Sequence, residues 1–346
     1  MGFPSQKLQD GVGGGSNLRV SPLSTTPDGT GLVPPDIDAS KWPLPAAGVP
    51  VALGSEAHKA LFSRTLLDTF DPYRPAVLDW PRLDALSQAR LTSLPIWDIA
   101  VQTENKAGAT MQNYADIVAD PLVRKALDLN AFEERRHRAV LSCLVRAYGI
   151  VLAPESPLEV PKDREWAYML TGFSECFDSF FAFGLFETAR RSGFFPIELI
   201  QTFEPVIQEE GRHILFFVNW VAWHRRQLNP LRRIAFELRV LLVWLAIARD
   251  RIGIASGLKD KGPSQQAGQP LDSNFTVSSA ASFGPELDLR EFLRLCLAEN
   301  DRRLGVYDKR LVRPLFIPRL VRTAIAVLGL LARRSAAKVK PPAAAE

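Results

Sequence analysis

The chain has 346 residues, 47% of them hydrophobic and 23% charged, with a net charge of +4. That balance supports a substantial buried core and excludes a highly charged disordered chain. The longest apolar runs, Val240–Ala248 and Ala324–Ala332, fall well short of the ~20 residues that cross a bilayer. Three cysteines without paired spacing (Cys143, Cys176, Cys296) argue against a disulfide framework and predict a reducing, cytoplasmic setting. The opening residues lack a basic region followed by an apolar stretch, so no signal peptide is expected.

Residues 1–50 are rich in Gly, Pro, Ser and Thr and predict a disordered arm. A short helix follows at 55–69. From about 83 to 226 the apolar periodicity is helical, in four long segments. The first covers 94–119. The second, 120–150, opens with Asp120 as N-cap and Pro121 in the first turn. The third, 161–191, stops where Gly193 can take a left-handed cap. The fourth, 196–227, contains Pro205, which predicts a kink one turn before a Glu-rich stretch. A fifth helix is expected at 230–254, a flexible loop at 256–284, a sixth helix near 286–304 and a basic–apolar helix at 318–334. The domains implied are an arm (1–50), a helical body (51–255), a loop (256–284) and a basic helical extension (285–346). No strand pattern is convincing, and the fold class is all-α.

The second segment carries Glu133, Glu134 and His137; the fourth carries Glu209, Glu210 and His213. Both read Glu-Glu-x-x-His, and residues three apart share a helix face. Each motif can therefore present an oxygen and an imidazole nitrogen to one point. Only four histidines occur in the chain, and two sit in this motif. The first segment offers one interior acid, Glu104, a hairpin's length before Glu134. Its same-face neighbours Ala107, Gly108 and Met111 either leave room for a ligand or serve a close helix crossing. The third segment offers Glu175 and Asp178 at hairpin distance from Glu210. Glu175, with the longer reach, is preferred as the direct ligand and Asp178 as its support. Glu187 reads as solvated. Four carboxylates and two imidazoles inside a helical body require about two divalent cations for neutrality. The mixed oxygen and nitrogen donors favour iron or manganese.

This constellation resembles the ferritin-like di-iron carboxylate superfamily, across about residues 95–226. That resemblance implies a four-helix bundle, here with additional N-terminal and C-terminal helices, holding two iron ions, with Mn/Fe or two Mn as alternatives. It implies Glu134 and Glu210 as bridging carboxylates, Glu104 and Glu175 as terminal ones, and His137 and His213 each on one metal. Glu133 and Glu209 stand where family members carry an Asp bonded to the other motif's imidazole. The expected activity is use of dioxygen to oxidise an apolar small molecule, with an electron donor as partner. The alternatives are a non-catalytic iron-handling protein or a membrane-associated helical adaptor.

His58 and His224 read as surface or packing residues, and Cys176 as a core filler. Tyr114 is either a relay or structural. Between Arg302 and Lys340 eleven Lys and Arg residues face Asp308 alone. This basic C-terminal helix is either an interfacial anchor on anionic lipid or a helix docked on the body. No aromatic-interleaved basic surface suggests nucleic acid. The oligomeric state is open, a homodimer being one option.

Overall fold

The computed structural model describes residues 32–260 and 288–338, apart from 76, 77, 95 and 156, with side chains of 252–260 and 332–338 excluded. Among the described residues there are nine helices and no strand. They are α1 (Glu56–Asp68), α2 (Ala85–Ser93), α3 (Trp97–Ala115), α4 (Pro121–Ala147), α5 (Arg164–Ser192), α6 (Ile197–Gln227), α7 (Pro230–Asp260), α8 (Leu289–Gly305) and α9 (Phe316–Lys338). None of them is long and apolar enough to cross a membrane.

Helix ends follow the local chemistry. The Asp120 carboxylate accepts from the backbone N–H groups of Leu122 and Val123, and Pro121 fills the first turn of α4. Asp84, Asp163 and Asp288 cap α2, α5 and α8 in the same way. Gly193 ends α5 with φ +64°, the left-handed turn that glycine takes without steric cost. The 31 residues of α6 run through Pro205 without a break in the helix.

Helices α3, α4, α6 and α5 close a circuit: α3 lies against α4 and α5, and α6 against α5 and α4. Helix α1 covers α4 and α6, while α7 and α8 lie outside α5 and α6, and α9 lies on α8 and α5. The α5–α6 crossing is tight because residue 172 is glycine; a Cβ there would stand 2.3 Å from Phe217 Cδ2. Met111, Tyr168, Phe216, Phe217 and Trp220 fill the core, each at most 1% exposed. Burying each such side chain contributes about 1.5–3 kcal/mol.

Two expected segments differ. Residues 1–31 of the expected arm lie outside the described residues, but 32–50 are seated on the body. Ala39 is buried, Leu32, Ile37 and Trp42 pack on the core, and Lys125 Nζ lies 2.5 Å from Asp36. A few apolar anchors outweigh a loop-like average composition. The expected loop at 256–284 begins later, since α7 continues through Asp260; its residues 261–284 lie outside the described ones.

Candidate metal centre

Helices α4 and α6 bring the two Glu-Glu-x-x-His motifs face to face, their imidazole centroids 5.6 Å apart. Both imidazoles are fully buried, as are Glu133, Glu134 and Glu209 to within 2%. The first glutamate of each motif serves the other motif. Glu209 of α6 accepts from Arg136 Nη2 at 2.5 Å and lies 2.8 Å from His137 Nε2. Glu133 of α4 accepts from Arg212 Nη2 at 2.6 Å and lies 2.8 Å from His213 Nε2. Each arginine also approaches the second carboxylate, at 3.7 Å for Arg136–Glu133 and 3.3 Å for Arg212–Glu209. Two cations and two anions thus form a closed, neutral square.

Because an ionised carboxylate only accepts, Nε2 of each imidazole is the donor to it, and a neutral ring in that position carries its lone pair on Nδ1. Both Nδ1 atoms turn inward. His137 Nδ1 lies 3.1 Å from Glu210 Oε1, 3.5 Å from Glu104 Oε2 and 3.9 Å from Glu134 Oε2. His213 Nδ1 lies 2.8 Å from Glu134 Oε1 and 4.0 Å from Glu210 Oε2. Glu134 and Glu210 therefore approach both imidazoles, whereas Glu104 approaches His137 alone. One donor atom each of Glu104, Glu134, His137 and Glu210 fit within 4.8 Å of one another. Yet Glu134 Oε1 and both Nδ1 atoms have no aligned hydrogen bond. Deprotonated at Nδ1, the two rings would present their lone pairs beside Glu134 Oε1, a set of donors that a cation can take up.

Glu175 of α5 and His213 stand outside that group of four; both Glu175 oxygens are buried without a hydrogen-bond partner. Burial drives its carboxyl far above the usual range, and the charges of Glu134 and Glu210 drive it further. Burial likewise pushes Glu104 up to about 8. At Glu134 burial acts upward but is outweighed by His213 and His137, so the carboxyl is lowered. Burial disfavours the charged form of both imidazoles, but the surrounding carboxylates overcome it and raise both. Glu209, despite burial, is held down at about 2 by His137, Arg136 and Arg212.

Other expected residues sit elsewhere. Asp178 receives a bond from Arg251 Nη2 of α7 at 2.6 Å and is part-exposed, and no hydrogen bond joins it to Glu175. Tyr114 stacks on Tyr168 at 4.3 Å and meets Trp220 edge-on. The phenol that reaches the cluster is Tyr73, which donates to Glu209 Oε2 at 3.3 Å. Glu187 is buried rather than solvated, bonded by Arg190 and Arg191 and lowered to about 2 by them. His58 is fully buried; its Nδ1 accepts from Gly54 N–H and its Nε2 lies 3.0 Å from Asn219 Oδ1. His224 lies against Trp220 and 3.5 Å from Glu165. Cys176 is buried in the core. Gly108 serves a close crossing: a Cβ there would meet Arg135 Cγ at 3.1 Å and Glu134 Cβ at 3.3 Å.

Sequence reasoning passed over Arg136 and Arg212, although both motifs read Glu-Glu-x-Arg-His. Tyr73 carries no such signal, since it stands in an irregular segment. No family model, curated protein or solved structure matches the chain. The cluster's own chemistry therefore carries the functional reading.

Proposed function

We propose that this cluster is a di-iron carboxylate centre in a ferritin-like four-helix bundle, and that it uses dioxygen to oxidise an apolar organic substrate. The observation that carries the reading is a charge mismatch. The outer glutamates, Glu133 and Glu209, are matched by Arg212 and Arg136. The inner four, Glu104, Glu134, Glu175 and Glu210, have no lysine or arginine at ion-pairing distance among the described residues. The two imidazoles hold Glu134 ionised, but burial drives Glu104 and Glu175 toward the neutral acid, and two divalent cations would supply the charge that lets all four ionise. Oxygen and imidazole donors without thiolate suit iron, with manganese as the alternative metal.

Glu134 and Glu210, close to both imidazoles, would bridge the two ions. Glu104 and His137 would complete one site, and Glu175 with His213 the other. The pair supplies Lewis acidity and, as reduced iron, electrons for dioxygen. The protein's own part is positional. Glu209 and Glu133 fix each imidazole with Nδ1 inward and raise its basicity. Arg136, Arg212 and Tyr73 hold those glutamates in turn. Phe216 and Phe217 follow His213 on α6 and keep bulk water from that end. Glu104 and Glu210, with side chains 20% and 15% exposed, mark the side open to small reactants.

Anaerobic loading with ferrous iron tests the reading. About two ions per chain should bind, and oxygen exposure should give a diferric absorption band and Mössbauer doublet. Oxygen consumption stimulated by apolar amines or lipids would identify the substrate class. Iron binding without any substrate-dependent consumption would refute the oxidase assignment. Failure of Glu134→Ala with Glu210→Ala to lower iron content would refute the centre itself.

A further inference from the structure

Helix α7 buries only one face. Phe236, Val243 and Ile247 turn inward, at most 3% exposed. The opposite face carries Leu231, Ile234, Leu238, Leu241, Leu242 and Leu245, each between 53% and 81% exposed. Their spacing is that of a continuous apolar stripe along the helix. Helix α9 repeats the pattern with Phe316, Leu320, Val327 and Leu330, each between 48% and 59% exposed. The two helices meet where Trp244 packs on Phe316 at 4.6 Å. An apolar surface of this extent on two adjoining helices is more than scattered exposure.

The charges beside it have one sign. Arg232, Arg233 and Arg249 on α7 and Arg319 on α9 are exposed and make no ion pair among the described residues. The acids of α7 with described side chains are already engaged: Glu237 with Arg225 at 2.7 Å, and Asp250 with Arg251. Helix α9 contains no acid, and Arg333, Arg334 and Lys338 follow in its sequence.

We infer that the outer faces of α7 and α9 form a docking surface for an anionic lipid membrane. The helices would lie in the interfacial plane, since neither is long and apolar enough to span. A second copy of the chain fits less well. Antiparallel pairing along the α7 stripe would set Arg232 and Arg233 against Arg249 of the other copy, and parallel pairing would set each arginine against its equivalent. Like charges would then be confined beside an apolar seam, whereas anionic headgroups neutralise them. The inference does not depend on the metal centre.

Sedimentation of the full-length, metal-loaded protein with vesicles tests it. Vesicles of phosphatidylcholine with phosphatidylglycerol should pull the protein down, and phosphatidylcholine alone should bind far less. Binding should weaken with added salt. Arg232→Gln with Arg233→Gln should weaken it roughly tenfold to thirtyfold. Leu238→Ser, Leu241→Ser and Leu245→Ser together should abolish it, with circular dichroism and metal content unchanged because these side chains are exposed. No binding to anionic vesicles at low salt would overturn the proposal. So would a concentration-dependent dimer in sedimentation velocity that the serine variant abolishes, since the face would then belong to a second copy.

Discussion

Replacing Arg212 by alanine isolates the role of the neutral square. The guanidinium is 3% exposed, bonds Glu133 at 2.6 Å, and also donates to Leu66 O and Thr69 Oγ1, each at 3.2 Å. Its loss leaves Glu133 fully buried with His213 at 2.8 Å and Arg136 at 3.7 Å. Removing one partner of a buried pair costs about 3–5 kcal/mol. The residual Arg136 approach favours the lower end, about 3 kcal/mol. Urea unfolding of the metal-free protein measures this directly. Glu133→Gln in the Arg212→Ala background should recover part of the loss, because the stranded charge is gone. Iron affinity should fall about 10- to 100-fold through the misplaced His213. A metal-free Arg212→Ala protein within about 0.5 kcal/mol of wild type would refute the view that the outer carboxylates need their own cations.

The remaining predictions test other links. Glu104 titrates in the folded state at about 8 against an ordinary 4.5, so its contribution is present below 4.5 and lost as pH rises through 8. The raised imidazoles of His137 and His213 act in the same direction above their ordinary 6.5. The metal-free protein should therefore unfold at lower urea as pH rises from about 5 to 8, and metal loading should flatten that slope. Glu175→Gln should lower metal content while Asp178→Asn leaves it unchanged, as read by elemental analysis. Gly172→Ala should destabilise the chain by about 1–3 kcal/mol, since its Cβ would displace the buried Phe217 ring. A neutral result in thermal melts would show that the α5–α6 crossing relaxes freely.

Much of the site was legible because helical spacing is rigid. A glutamate and a histidine three apart must share a face, so two such motifs on facing helices could be anticipated from the sequence. The cross-pairing of Glu133 with His213 and Glu209 with His137 is a tertiary fact; helical spacing does not imply it, and only the resemblance to the di-iron superfamily did. Arg136 and Arg212 were equally visible as a recurring fourth residue, but an arginine on a helix is ordinarily solvated; here the end of α1 receives Arg212 through Leu66 O and Thr69 Oγ1, and the segment after it receives Arg136 through Asp71 O and the Tyr73 ring. Glu175 and Asp178 share a helix side by spacing; what separates them is Arg251, supplied by α7 seventy-three positions later. Tyr73 was invisible for the same reason, being brought to Glu209 by chain path rather than periodicity. The segment 32–50 misled through its average composition, because Ile37 and Trp42 are enough to seat it.

In the proposed centre, metal ions replace the protons of Glu104 and Glu175 and the imidazolium charges of the metal-free state as the compensation of the four inner carboxylates. Anaerobic ferrous titration followed by elemental analysis of the desalted protein measures this most directly. About two irons per chain are expected, falling to near zero in Glu134→Ala with Glu210→Ala. Sub-stoichiometric iron in the wild type, or the same content in both proteins, would contradict it.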